Sequence, residues 1–157
     1  VNQKEGITSD RQINNQMFAK NIRFLRKILG MARSRDELSQ YELAQELGIS
    51  RRTVISWENG NVPHQPNLQM ISNFFSTQLE HRIAVRALLS LDLSEEIHII
   101  SKDEYQFWAA FADVMSPMMV RQYFRQTRKD WERQKEKEKR PKGNLVFYFD
   151  NLGDLDF

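Results

Sequence analysis

The sequence has no cysteine. That single absence excludes disulfide staples, thiolate zinc sites and cysteine nucleophiles. It also suits a reducing compartment. The three histidines, His64, His81 and His98, form no i, i+4 pair, and neither an HExxH nor a GxxxxGKS/T pattern occurs. Zinc-hydrolase and nucleotide chemistry therefore have no visible carrier. No metal, no cofactor and no enzymatic activity are expected. No apolar run approaches the roughly 20 residues that span a bilayer. The start, Val1-Asn2-Gln3-Lys4-Glu5, has no apolar signal-peptide core. A cytoplasmic protein without a membrane partner is the expectation.

The chain has 157 residues, 40% of them hydrophobic and 28% charged. This is the composition of a folded chain, long enough for one ordinary domain or two small ones. The net charge is only +2, but it is unevenly spread. Residues 121–142 hold ten Lys and Arg against four Asp and Glu, whereas 143–157 hold three Asp and no base. A solvated helix face and an interaction surface both fit that polarity.

Apolar periodicity divides the chain. Residues 1–14 are polar without a period and read as a flexible arm. Phe18, Ile22, Leu25 and Ile28/Leu29 then recur every three or four residues, as on a helix that Gly30 ends or weakens. Ser39 with Glu42 is a capping box, and Gly48 stops the helix it opens. Ser50 caps a further short helix that ends at Asn59-Gly60. Asn67 is the expected cap of a fourth helix, and a fifth is expected from Thr77 to Leu89. Beyond residue 90, Ile97–Ile100 and Leu145–Phe149 read as short strands. A helix capped by Ser101 or Asp103 and another opened by Pro117 lie between them. The latter carries Val120, Phe124, Thr127 and Trp131 on one stripe, then the charged run Arg133–Arg140.

The stretch Leu38-Ser39-Gln40-Tyr41-Glu42-Leu43-Ala44-Gln45-Glu46-Leu47-Gly48-Ile49-Ser50-Arg51-Arg52-Thr53-Val54-Ile55-Ser56-Trp57-Glu58-Asn59-Gly60 resembles the Cro/repressor-type, or XRE, helix-turn-helix family. The resemblance extends from about Met17 to Phe75. It implies a mainly α fold, with a five-helix lambda-repressor-like DNA-binding domain at 15–90. Residues 91–157 then read as a small α+β oligomerisation module. By position, Arg51, Arg52 and Ser56 match the family's base-reading sites. Ser39, Gln40, Thr53 and Asn59 match its phosphate contacts, and Glu58 matches a buried acid that pairs with an arginine of the first helix, Arg26. The chain departs from the compact family pattern by about six extra residues between Met31 and Leu38. Arg33 and Arg35 in that insertion either reach phosphate or keep the loop soluble.

The function implied is a sequence-specific transcriptional regulator of double-stranded DNA, a repressor of a phage, plasmid or other mobile element. It would read palindromic operators as a homo-oligomer, a dimer or a tetramer. The resemblance also admits an anti-repressor protein as a partner. The alternative is an antitoxin-like protein whose segment Phe147–Phe157 binds another polypeptide. Some relatives carry a self-cleaving Ser/Lys peptidase; Ser101-Lys102 is the one neighbourhood of that kind, and the remaining chain is too short and too poor in strands for it. Met115, Met118 and Met119 read as core or interface packing.

Overall fold

In a computed structural model of the chain, residues 2–134 and 145–149 are described, with side chains for 14–129 and 146–148. Most of the charged run Arg133–Arg140 and the acidic tail after Phe149 lie outside the described residues. The fold is mainly helical. It divides into two compact units, with the boundary between Glu95 and Glu96.

The first unit contains α1 (Asn2–Ala32), α2 (Gln40–Leu47), α3 (Arg51–Glu58), α4 (Gln65–Gln78) and α5 (Val85–Ser90). Helix α1 packs on α3 and α5, α2 on α3, and α4 on α5. The apolar stripe of α1 is the core's spine: Phe18, Ile22, Leu25 and Ile28 are fully buried, and Leu43, Val54, Ile71 and Phe75 close over it. Helix α1 starts at Asn2, where an arm was expected, and runs for 31 residues. Its first turns have no apolar stripe for periodicity to detect, yet Gln, Lys, Glu and Arg are good helix formers. Gly30 does not end α1. A Cβ on it would lie 2.2 Å from the backbone of Glu37 and Leu38, so it lets the returning insertion lie against the helix.

The first four helices all close by one backbone device. At α2, Ile49 N–H reaches Ala44 O at 3.0 Å and Gly48 N–H reaches Gln45 O at 3.2 Å, with Gly48 left-handed at φ 70°. This is the Schellman motif, which satisfies the last helical carbonyls. The same two bonds recur at Arg35/Ser34, Asn61/Gly60 and His81/Glu80. Glycine occupies the left-handed position twice, but Ser34 (φ 60°) and Glu80 (φ 54°) occupy it with a Cβ. An L side chain there costs roughly 1–2 kcal/mol. Gly48→Ala is therefore expected to destabilise the first unit by about 1 kcal/mol. Ser34→Gly and Glu80→Gly should leave stability unchanged or raised. Thermal melting of the three variants checks this, and a stabilised Gly48→Ala would overturn it.

Two boundaries differ from expectation. Helix α4 begins at Gln65 behind His64, and Asn67 lies inside its first turn. Pro66 is tolerated there because its missing N–H would have no helical partner anyway. The fifth helix starts at Val85 and not near Thr77. Ser72 Oγ donates to Ile83 O at 2.5 Å, and Ser76 Oγ accepts from Ile83 N–H at 2.8 Å. These two serines hold the loop after α4 against the helix they stand on. At the end of α5, fully buried Asn21 donates to Leu88 O and Leu91 O at 2.8 and 2.6 Å and accepts from Leu93 N–H at 3.0 Å.

From α6 (Leu93–Glu96) the chain enters the second unit: β1 (Ile97–Ser101), α7 (Lys102–Val114), α8 (Pro117–Gln134) and β2 (Leu145–Phe149). Ser101 caps α7 by accepting from Glu104 N–H at 3.2 Å. The two strands pair antiparallel within the chain, Ile97 opposite Phe149 and Ser101 opposite Leu145. The strand that was expected to need a partner therefore finds one in its own chain, and Phe147–Phe149 do not offer an open edge on the β1 side. Ile100, Trp108, Val120 and Phe124 form the unit's core, and Tyr148 stacks on Phe124 at 4.3 Å. Val120 and Phe124 are thus used internally and are not part of a seam between chains. Among the described residues no helix is long and apolar enough to cross a membrane.

Candidate nucleic-acid interface

Helices α2 and α3 are joined by the three residues Gly48, Ile49 and Ser50. Buried Leu43 and Val54 face inward, and Ala44, 2% exposed, has no side chain to hold the helices apart. Both helices are capped locally. Ser39 Oγ accepts from Glu42 N–H at 3.0 Å, and Ser50 Oγ accepts from Thr53 N–H at 3.2 Å. Each cap leaves the amides before it without an intrahelical acceptor and pointing outward. Such amides, with the positive end of the helix dipole, suit an anion.

Arg51 and Arg52 are the first two residues of α3, and both are exposed. Neither has an ion-pair partner among the described residues, in contrast to Arg26, Arg33 and Arg35. Ser56 lies one turn further along, half-buried, and its Oγ accepts from Asn61 Nδ2 at 3.0 Å. That bond uses a lone pair and leaves the hydroxyl proton to donate. Thr53 Oγ1 lies 2.9 Å from Ser50 Oγ. Gln40 is the first residue of α2 and is half-buried; Asn59 is exposed at the end of α3. The expected contacts thus stand on the two helices and the caps that join them. Tyr41, 57% exposed, adds to this surface and accepts from Gln45 Nε2 at 2.8 Å. Nothing in the sequence pattern pointed to Tyr41 or to Asn61.

Beneath the surface, Arg26 Nη2 donates to Glu58 Oε1 at 2.9 Å and Arg26 Nη1 donates to Leu38 O at 2.7 Å. The Glu58 side chain is 5% exposed and that of Arg26 11%. One guanidinium therefore ties the end of α3 to the strand-like segment that enters α2.

The insertion arginines are engaged with α2. Arg33 grips Glu46 through both Nη atoms at 2.7 Å and also reaches Gln78 at 2.9 Å. The Glu46 hydrogen bonds raise its pKa. Arg35 pairs with Glu42. The two pairs offset acidic charge on α2, the helix whose N-terminus would approach phosphate.

The Ser39 hydroxyl holds the Glu42 carboxyl below the usual carboxylate range, with Arg35 and the Ser39 amide assisting against partial desolvation. At Asp92 burial pushes the carboxyl up, and Lys20 at 2.6 Å with Ser94 outweighs it, leaving it low. For groups depressed by folding, the stabilisation is complete above the unfolded pKa, about 4 for a carboxylate, and is lost as pH falls through the folded value. The melting temperature of the first unit should therefore drop below about pH 4. Glu42→Gln and Asp92→Asn should each flatten that acid limb. An unchanged slope in both variants would show that these carboxylates are not coupled to folding. Among the described residues no three His, Asp or Glu gather as a metal site.

A family model for helix-turn-helix domains matches residues 26–81. The HTH-type transcriptional activator BcrR of Enterococcus faecalis is 29% identical over 93 residues, which cover 59% of this chain and 45% of that protein. No solved structure matches the chain.

Proposed function

With residues 26–81 belonging to the Cro/repressor-type, or XRE, helix-turn-helix family, we propose that the chain is a sequence-specific DNA-binding transcriptional regulator that lays α3 in the major groove. The observation that carries this reading is the exposed Arg51-Arg52 pair at the capped start of α3, without an acidic partner among the described residues. Arginine at that place can make two parallel bonds to guanine O6 and N7. Ser56 reads the next base by donating its hydroxyl proton. Ser39, Gln40, Thr53 and Asn59 set the register by holding phosphates with side chains and helix-end amides.

The chain acts as a repressor in a mobile element, reading a palindrome as an oligomer. Repression needs only that the bound protein cover a promoter. The similar protein from Enterococcus faecalis bears the name of an activator. Where the operator lies relative to the promoter decides between the two outcomes, since the reading helix is the same. A footprint of the purified chain on the DNA upstream of its own gene tests the proposal. Protection of two inverted half-sites about 34–36 Å apart, or a multiple of that, is expected. No protection there, together with no sequence enriched from random duplexes, would sink it.

A further inference from the structure

We propose that the outer face of the α7–α8 hairpin is the surface on which a second copy of this chain docks about a two-fold axis. This deepens the regulator reading, because it names the oligomer's contact, and rests on it for the purpose of pairing two reading helices. Among the described residues, nearly all the large apolar side chains that stand exposed belong to this hairpin; Tyr41 is the exception. Phe107 is 61%, Val114 78% and Met118 72% exposed, with Met119 and Tyr123 beside them. They form one continuous strip. Phe107 stacks on Phe111 at 6.2 Å, and Phe111 meets Tyr123 edge-on at 5.8 Å. Val114 lies one turn beyond Phe111, and Met119 one turn before Tyr123. Trp108 and Phe124, on the opposite side of the same helices, are already buried in the unit's core.

Charge identifies the occupant. The strip itself carries no charged residue, although 28% of the chain is charged. Its flanks are charged, and of opposite sign on the two helices. From Asp103 to Val114, α7 has three acids and no base; from Pro117 to Lys129, α8 has four bases and no acid. A two-fold axis that lays α7 over the copy's α8 sets acid against base on both rims, so the face is complementary to itself. The exposed rings and thioethers amount to about 600 Å² per copy, more than a monomer ordinarily leaves open. It approaches the roughly 800 Å² per partner of a standard interface.

Sedimentation of the full chain at micromolar concentration should show a dimer. Val114→Lys and Met118→Lys, both at exposed positions, should raise its dissociation constant on the order of a hundredfold, because each would bury an unpaired charge. The absence of native cysteine permits a second readout that does not depend on those variants. Among Phe107→Cys, Val114→Cys and Met118→Cys, at least one should form an interchain disulfide under mild oxidation. Asn73→Cys, exposed on α4 of the first unit, should not. A monomeric intact chain overturns the inference, as does a dimer indifferent to both lysines with no cross-link from the strip. A monomer that dimerises only after deletion of residues 150–157 gives the strip to the chain's own tail and also overturns it. A dimer that ignores DNA would support this contact while sinking the regulator reading; a monomer with a clear footprint would do the reverse.

Discussion

Arg51→Ala and Arg52→Ala should each weaken binding to the specific site by roughly ten- to a hundredfold, while binding to random duplex falls little. Both arginines stand exposed at the start of α3, behind a Ser50 cap that fixes the direction of the helix. A guanidinium that makes two bonds to one guanine loses both on truncation, and the wrong base never offered them. A guanidinium that touches phosphate loses only charge, on every sequence alike. The ratio of specific to random affinity, measured at one salt concentration, separates these cases. Equal losses on both duplexes would move Arg51 and Arg52 to the phosphate set.

Glu58→Ala should cost the first unit about 3 kcal/mol, because it leaves a charged and largely buried Arg26 facing a cavity. Arg26 keeps its bond to Leu38 O at 2.7 Å, which moderates the loss. Two polar atoms of the pair, Arg26 Nε and Glu58 Oε2, already lack a hydrogen-bond partner among the described residues. The pair is therefore not an optimal way to fill this space, and its apolar replacement is informative. Replacing both members, Arg26→Met with Glu58→Leu, should recover much of what either single loss removes. Chemical denaturation of the two single variants and the double variant tests this. An unchanged midpoint for Glu58→Ala would show that the pair contributes nothing to folding.

The helix-turn-helix was legible because its determinants are local. Ser39 and Glu42, Ser50 and Thr53, and Gly48 and Gly60 each act over fewer than seven residues. Such signals survive in a sequence read one window at a time. The missed features depend on distant partners or on unusual residues in familiar roles. Asn21 looks like an interruption in an apolar stripe until its acceptors, 67 and 70 residues away, are known. Glu80 ends α4 in a conformation that glycine normally advertises. Ser72 and Ser76 define the next loop by bonds that no local pattern records. At the interface, the exposure of Arg51 and Arg52 follows from helical position alone. The attachment of Ser56 to Asn61, and of the insertion arginines to Glu42 and Glu46, does not.

The pairing of β1 with β2 sets an order of events during synthesis. Every described element of the first unit has been translated by Glu95, whereas β1 has no strand to pair with until residues 145–149 emerge. At roughly 5–20 residues per second, that interval lasts a few seconds. Throughout it the nascent chain carries a finished first unit beside an apolar strand whose edge is open. A message truncated within that interval yields a product that retains the two arginines of α3 but has no closed second unit. Such a fragment would compete with the intact protein for the same DNA, so that translation through the last strand is a checkpoint on the regulator's own dosage.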